Sequence, residues 1–389
     1  MNISMYDIKV IGSPVVVGDI QRDPNFVFSY AGELYRLIIN SDIQSGRWAN
    51  IQEFVRSPVF QALMEKEYVP RYELTDTWIR DYHPKGDIYK IVDKIYCLPP
   101  EFRTINQKLE CVKLACEIHL LLKDVGSPYL LSDINGYQFG FNYYKPMYID
   151  VGSFSTKAFF VEDLNRILAP LGLGFTDWES LLDSVNNYNA VLDKGLWGDY
   201  GSPACLAYES KIVCDWLSSK KDIKIIIDVG CCKGVFSTIF NKMGYKVIAI
   251  DNEEYVLNEL YKNSKGTNIF CLHLDVTKNY EGQWSQWIDK INADVVFCSS
   301  ITHHLCRAGF YFEEQANLWN KIGGKYLIIE YIDRKDFHVK EWKDVDEVKY
   351  TEDRFLQSLE KNWNLLDIKP GEPGAPERHW YFFERRGSI

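Results

Sequence analysis

Ile225-Ile-Ile-Asp-Val-Gly-Cys-Cys-Lys-Gly234 is the stretch whose reading decides the fold of this chain. Its β-branched residues followed by Asp228-Val read as a buried strand. Gly230-Cys-Cys-Lys-Gly234 reads as a tight turn, and the residues after it carry a helical stripe. Val235, Phe236, Ile239, Phe240 and Met243 share one helical face, and Gly244 is a C-terminal stop.

Working outward, apolar runs recur at 247–250, 269–274, 295–298 and 326–329. They are short for helices, and several are rich in Ile and Val, as parallel strands covered on both faces are. Amphipathic patterns separate them. Val256, Leu257, Leu260 and Tyr261 make one stripe, and Phe312, Ala316, Trp319 and Ile322 make another. Two late runs, 365–368 and 380–383, flank Lys369-Pro-Gly-Glu-Pro-Gly-Ala-Pro376, through which no helix can pass. A loop must join them, which makes them antiparallel. The expectation is an α/β fold: a Rossmann-like, doubly wound, mostly parallel seven-stranded sheet with an antiparallel edge.

The amino-terminal half is less regular and is expected to form an α+β domain over 1–203, leaving 204–389 for the parallel sheet. Strands are expected at 15–17 and 26–30, with 33–39 extended or helical. Helical periodicity runs over 51–65, broken or kinked at Pro58, and over 109–122. Residues 137–151 read as strand, turn at 142–145, and strand. A helix over 204–219 is expected to lead into the second domain.

The chain of 389 residues is 46% apolar and carries a net charge of −10. No dense Lys/Arg block occurs, so a nucleic-acid groove is disfavoured. The first residues lack the layout of a signal peptide, and no apolar run reaches the roughly 20 residues that cross a bilayer. Ten cysteines lie scattered without a Cys-x-x-Cys, which disfavours zinc ribbons and disulfide frameworks, and no metal is expected. A reducing, cytoplasmic setting is the simplest reading.

The acids at the strand ends narrow the ligand. Gly230 and Gly234 leave room for close approach at the end of the first strand. Asp228 is placed to accept from an ammonium, directly or through water. Asp251 ends the second strand and can accept both hydroxyls of a ribose. Asp275 ends the third strand and can accept from an adenine amino group while Val276 packs on the ring. A nicotinamide dinucleotide fits worse, because Cys232 stands where the second glycine of Gly-x-Gly-x-x-Gly belongs. An amino-acid end, a ribose and an adenine describe S-adenosyl-L-methionine (SAM).

With these residues in view, the region from about 205 to 386 resembles a class I SAM-dependent methyltransferase. Asp228-Val-Gly-Cys-Cys-Lys-Gly234 matches the family's glycine-rich first motif, with Cys232 replacing its middle glycine. Asp251 and Asp275 match its ribose-side and adenine-side acids. Asp294-Val-Val-Phe-Cys-Ser-Ser-Ile-Thr-His-His-Leu305 matches its fourth motif, which lines the methyl-transfer site. Ser127-Pro-Tyr, Met147-Tyr-Ile-Asp-Val-Gly-Ser-Phe154, Ile301-Thr-His-His-Leu305 and Leu327-Ile-Ile-Glu-Tyr-Ile332 also resemble a bacterial methyltransferase group that includes the nodulation protein NoeA. The resemblance implies methyl transfer.

For the acceptor, histidine is the commonest general base toward a hydroxyl. His303 and His304 follow the fourth strand, and His304 is favoured. No Asn/Asp-Pro-Pro-Tyr/Phe follows that strand, which argues against amide or adenine-amine acceptors. Glu330, at the end of the fifth strand, and Trp197 and Tyr200, near the junction, are expected to reach the substrate. A small molecule or glycan methylated at oxygen is the leading expectation. A non-catalytic binding or scaffold protein is one alternative.

The other alternative is a bifunctional kinase-like protein. Asp124 in a loop, a hairpin, and then Asp150 in Asp-Val-Gly resemble segments of kinase-like folds. Tyr129 stands where a metal-binding Asn is expected, and no glycine-rich phosphate loop is evident. The amino-terminal domain thus reads as a family-specific cap or a decayed kinase-like lobe. Its aromatics, Tyr129, Tyr137, Phe139, Phe141, Tyr143, Tyr144 and Tyr148, read mainly as core.

Overall fold

The structure, a computed structural model, describes residues 1–11, 26–39, 51–80, 82, 86–97, 99–156, 161–198, 207–278 and 293–387. Two compact units emerge, Met1–Val191 and Leu192–Ile389. The strand expected at 15–17 and the junction expected at 201–203 lie outside the described residues.

In the first unit, a five-stranded antiparallel sheet is built from Lys9–Ile11, Val27–Tyr30, Glu33–Ile39, Gly86–Ile91 and Tyr72–Leu74, in that spatial order. The stretch at 33–39 is a strand, as one of its two readings had it. Pro58 divides the expected helix in two, Ile51–Val55 and Pro58–Glu65. Proline occupies the first turn of the second helix, where its missing N–H costs nothing, and the Ser57 hydroxyl accepts from Phe60 N at 3.2 Å. Helix Ile105–Asp124 starts four residues earlier than its apolar stripe, because Thr104 and Gln107 form a capping box. Phe139–Asn142 and Lys145–Tyr148 pair as the expected hairpin.

In the second unit, the sheet holds β1 (Ile225–Val229), β2 (Lys246–Asp251), β3 (Ile269–His273), β4 (Val295–Cys298), β5 (Tyr326–Ile332), β6 (Trp363–Pro370) and β7 (Arg378–Arg385). Their order is β3-β2-β1-β4-β5-β7-β6. β1 to β5 run parallel, and β7 lies antiparallel between β5 and β6. The proline-rich loop 371–377 joins β6 to β7. Most strands extend past their apolar runs because ladder pairing continues into polar residues such as Lys246 and Asp251.

The helices are α1 (Ala207–Ser218), α2 (Val235–Lys242), α3 (Glu254–Asn263), α4 (Thr302–Arg307), α5 (Phe312–Ile322) and α6 (Glu352–Glu360). The apolar stripes of α3 and α5 are buried as read. On α2 the buried face also includes Ser237, which is fully buried because its hydroxyl serves Asp228. Strands β1, β2 and β4 are buried almost throughout, as a sheet with both faces covered requires. Phe297 and Trp380 stack at 5.7 Å in this core. Edge strand β6 exposes Leu365, Leu366 and Ile368 and carries a register shift between Leu365 and Asp367.

Candidate functional site

Five parallel strands end on one edge of the second sheet, and the expected cofactor acids stand there. Asp228, next to last in β1, is 2% exposed and accepts from Ser237 Oγ at 2.6 Å. Burial pushes its carboxyl up to about 7 against the pull of that hydroxyl, and nearby Asp251 adds to the rise. A cation beside it would restore the ionised form.

The turn after β1 is built from left-handed residues: Gly230 (φ +73°), Cys232 (φ +50°) and Gly234 (φ +71°). A Cβ on Gly230 would lie 2.6 Å from Ile301 Cδ1, and one on Gly234 would lie 2.4 Å from Leu260 Cδ1. The room that sequence reasoning left for a ligand at these two glycines is taken by the protein's own side chains. They seat the turn between the residues after β4 and helix α3.

Asp251 clamps this turn. Its Oδ2 accepts Cys232 N at 2.8 Å and its Oδ1 accepts Glu253 N at 2.9 Å. Burial raises its pKa, while these amides pull the other way. Each oxygen retains a second lone pair, which is what a ribose diol needs. Asp275, half-buried beyond β3, accepts the amide and hydroxyl of Thr277 at 3.0 and 2.7 Å, and Val276 beside it is buried. The carboxylates brought to one sheet edge match the donors of SAM, which are an ammonium, a diol and an exocyclic amine.

A stretch that sequence reasoning singled out only in part lies against this turn. Leu196 N and Trp197 N donate to the two oxygens of Glu253 at 3.2 and 3.3 Å. Cys232 Sγ lies 3.9 Å from Trp197 O. The Trp197 ring meets His304 edge-on at 4.7 Å. No spacing rule in the sequence links Glu253 to residues so far upstream. Tyr200 lies outside the described residues.

His303 and His304 begin α4. Their rings are 4.1 Å apart, and both contact Trp342, at 5.4 and 5.2 Å. Burial drives the pKa of His303 far down and lowers that of His304 to about 4, with Arg307 contributing to the latter. Both imidazoles are therefore neutral near pH 7.

Beyond the ends of β4 and β5 lies a cavity of about 270 Å³. Ser299, Ser300, Glu330, Glu209, Arg378 and His338 are among the residues that line it. Neither His303, His304 nor Trp197 does. The α4 rings pack against tryptophans, and among the described residues His338 is the imidazole that lines this cavity. Glu330 is 2% exposed, and its Oε2 accepts Ser300 N, Ser300 Oγ and Ser299 Oγ at 2.8, 2.7 and 3.3 Å. Burial raises its pKa, partly offset by Ser300 and Arg378. Ile301, which packs against Gly230, directly follows Ser300 of the cavity wall in the chain.

Arg378 grips Asp336 through Nε at 2.9 Å and Nη2 at 3.4 Å. Sequence reasoning missed Glu209, Asp336, His338 and Arg378. They come from a helix start, the segment after β5 and the start of β7, and no local motif joins them.

In the first unit, Asp124 ends helix Ile105–Asp124, and Tyr129 packs on Phe54 at 4.6 Å. Burial raises the pKa of Asp133, with Asp163 and then Asp150 adding to the rise. Arg36, 5% exposed, pairs with Asp150 at 3.2 Å and donates to Ile149 O at 3.1 Å.

Residues 227–327 match the family model described as a methyltransferase domain. Comparison with curated proteins gave no match. Among solved structures, the N-methyltransferase NodS from Bradyrhizobium japonicum, in complex with S-adenosyl-L-homocysteine, is 12% identical. It covers 50% of this chain and 93% of its own, with a TM-score of 0.36. Magnesium protoporphyrin IX methyltransferase (ChlM) from Synechocystis PCC 6803 with bound SAM is 13% identical over 49% and 88%, with a TM-score of 0.35. The CcbJ methyltransferase from Streptomyces caelestis is 10% identical over 49% and 94%, with a TM-score of 0.37.

The domain match joins the strand-end acids in one conclusion. The chain carries a SAM-dependent methyltransferase domain, and its cofactor is SAM. Among the described residues, no helix is long and apolar enough to cross a membrane.

Proposed function

We propose that the protein methylates a hydroxyl oxygen of a small-molecule or glycan acceptor that enters the cavity beyond β4 and β5. The observation that carries this reading is that Ser299 and Ser300, in the cavity wall, immediately precede Ile301, which packs against Gly230 of the glycine turn. Asp251 holds the ribose, Asp228 the ammonium, and Asp275 with Val276 the adenine. When bound, SAM would supply the methyl group of its sulfonium, whose S–CH3 bond breaks as the C–O bond forms, leaving the neutral thioether S-adenosyl-L-homocysteine.

His338, in the cavity wall, takes the hydroxyl proton as the C–O bond forms and passes it to water afterwards. His304 and His303 act as positioning residues. Wedged against Trp197 and Trp342, they fix the residues after β4. Trp197 covers the glycine turn, and with the buried surroundings of Glu330 this excludes water from the reacting centre. Incubation with methyl-labelled SAM and fractionated metabolite or glycan extracts, followed by mass spectrometry, tests the reading. A labelled ether supports it. A labelled amine overturns the choice of oxygen, and no labelled product with any fraction favours a non-catalytic role.

A second reading concerns the first unit. The pairing of Arg36 with Asp150 of Asp-Val-Gly, with Asp133 ahead of the hairpin, favours a kinase-like nucleotide-binding fold. A rise in melting temperature with ATP and magnesium supports it. Absence of both that rise and phosphoryl transfer removes it.

A further inference from the structure

We propose that the cavity recognises its acceptor through a cationic nitrogen, an ammonium or guanidinium, seated between the carboxylates of Glu209 and Glu330. The inference rests on the methyltransferase reading and adds the substrate's charge to it.

Glu209 lies in the first turn of α1, where a glutamate ordinarily points into water and favours the positive end of the helix. Here it is 6% exposed, and its Oε2 is fully buried with no hydrogen-bond partner among the described residues. A buried carboxylate oxygen without a donor is rare in folded proteins, because lost hydration is not replaced. The same residue lines the cavity, so a positive charge entering there offsets the buried carboxylate even though Oε2 itself is closed off.

Glu330 presents the complementary half. All three protein donors that reach it go to Oε2, and Oε1 takes none of them. The cavity wall also includes Asp336, Glu372 and Glu377, against one guanidinium, Arg378, which is already engaged bidentately with Asp336. The balance of charge in the wall is negative. A neutral acceptor would leave Glu209 desolvated and unpaired, whereas a cation carrying several N–H donors satisfies both glutamates together. The opposing Ser299 and Ser300 keep the anchored molecule beside the turn that receives the cofactor.

Matched probes test this. Glucosamine, benzylamine and methylguanidinium are titrated against glucose and benzyl alcohol at pH 7, with the SAM-loaded full chain observed by ligand-detected NMR. SAM affinity is measured in parallel by calorimetry. The cationic probes are expected to bind at least tenfold tighter than the neutral ones. Glu209→Gln and, separately, Glu330→Gln are expected to remove that preference while SAM affinity and melting temperature hold.

Equal binding of cations and neutral isosteres overturns the proposal, as does a preference that survives both variants or binding by none of the probes. If SAM does not bind while the cationic preference persists in the protein without SAM, the methyltransferase reading fails and the cation site stands. If SAM binds and the preference is absent, only the cation site fails.

Discussion

The carboxylate of Asp251 accepts the amide of Cys232 at 2.8 Å, so the acid at the end of β2 fastens the turn at the end of β1. One side chain thereby ties the turn to the end of the neighbouring strand, and in the proposed site it also presents lone pairs to a ribose.

Replacing Asp251 by Ala removes both roles. SAM affinity by calorimetry should fall by on the order of 100-fold, the equivalent of two charge-assisted hydrogen bonds. Unchanged affinity would reject the proposed ribose site.

Cys232 holds a left-handed backbone, φ +50°, at a position where glycine carries no steric penalty. Cys232→Gly should raise the stability of the second unit by about 1 kcal/mol in urea unfolding, the order of the strain relieved. SAM binding should persist. A clear loss of stability would show that the thiol's contacts outweigh the strain.

Two buried groups titrate in opposite senses. The pKa of Asp228 is raised to about 7, so between its unfolded value near 3.8 and pH 7 the native state holds the extra proton, and stability from this group falls as pH rises. The pKa of His304 is lowered to about 4, so between pH 4 and its unfolded value near 6.5 the unfolded state holds the extra proton, and stability rises with pH. Asp228→Asn should tilt the stability profile upward with pH across 4–7, and His304→Asn should tilt it downward. Thermal melts at half-unit pH steps read both slopes. Parallel profiles for wild type and both variants would contradict these surroundings.

Asp336 and Arg378 form a largely buried ion pair, with side chains 4% and 18% exposed. Removing one partner strands the other. Arg378→Ala should cost about 3–5 kcal/mol in chemical unfolding, and the Asp336→Ala/Arg378→Ala double variant should cost less than the sum of the single losses. Additive losses would mean that the two groups do not interact.

The sheet was legible because its evidence is local. Each of β1 to β5 is an apolar run in a few consecutive residues, and Gly230 and Gly234 mark a turn that few other residues can make. The positions of Asp228, Asp251 and Asp275 at one sheet edge could be read because the ends of parallel strands converge there. Of the cavity lining, only Glu330, at the end of an apolar run, was legible. Glu209, His338 and Arg378 join it only after the chain has crossed the sheet, and nothing in their spacing announces it. The sequence places His303 and His304 just after β4, but the distant Trp197 and Trp342 decide where the rings lie. In the first unit, the hairpin at 139–148 was legible because its strands and turn are contiguous in the sequence.

The stretch that contains Leu196 and Trp197 carries a practical lesson for anyone dissecting the chain. A fragment trimmed to begin at α1 would retain every strand and helix of the catalytic sheet. It would nonetheless leave both oxygens of Glu253 without those two amides and strip the indole from His304. Inactivity in such a fragment would be an artefact of trimming, and a fair dissection starts no later than Leu192.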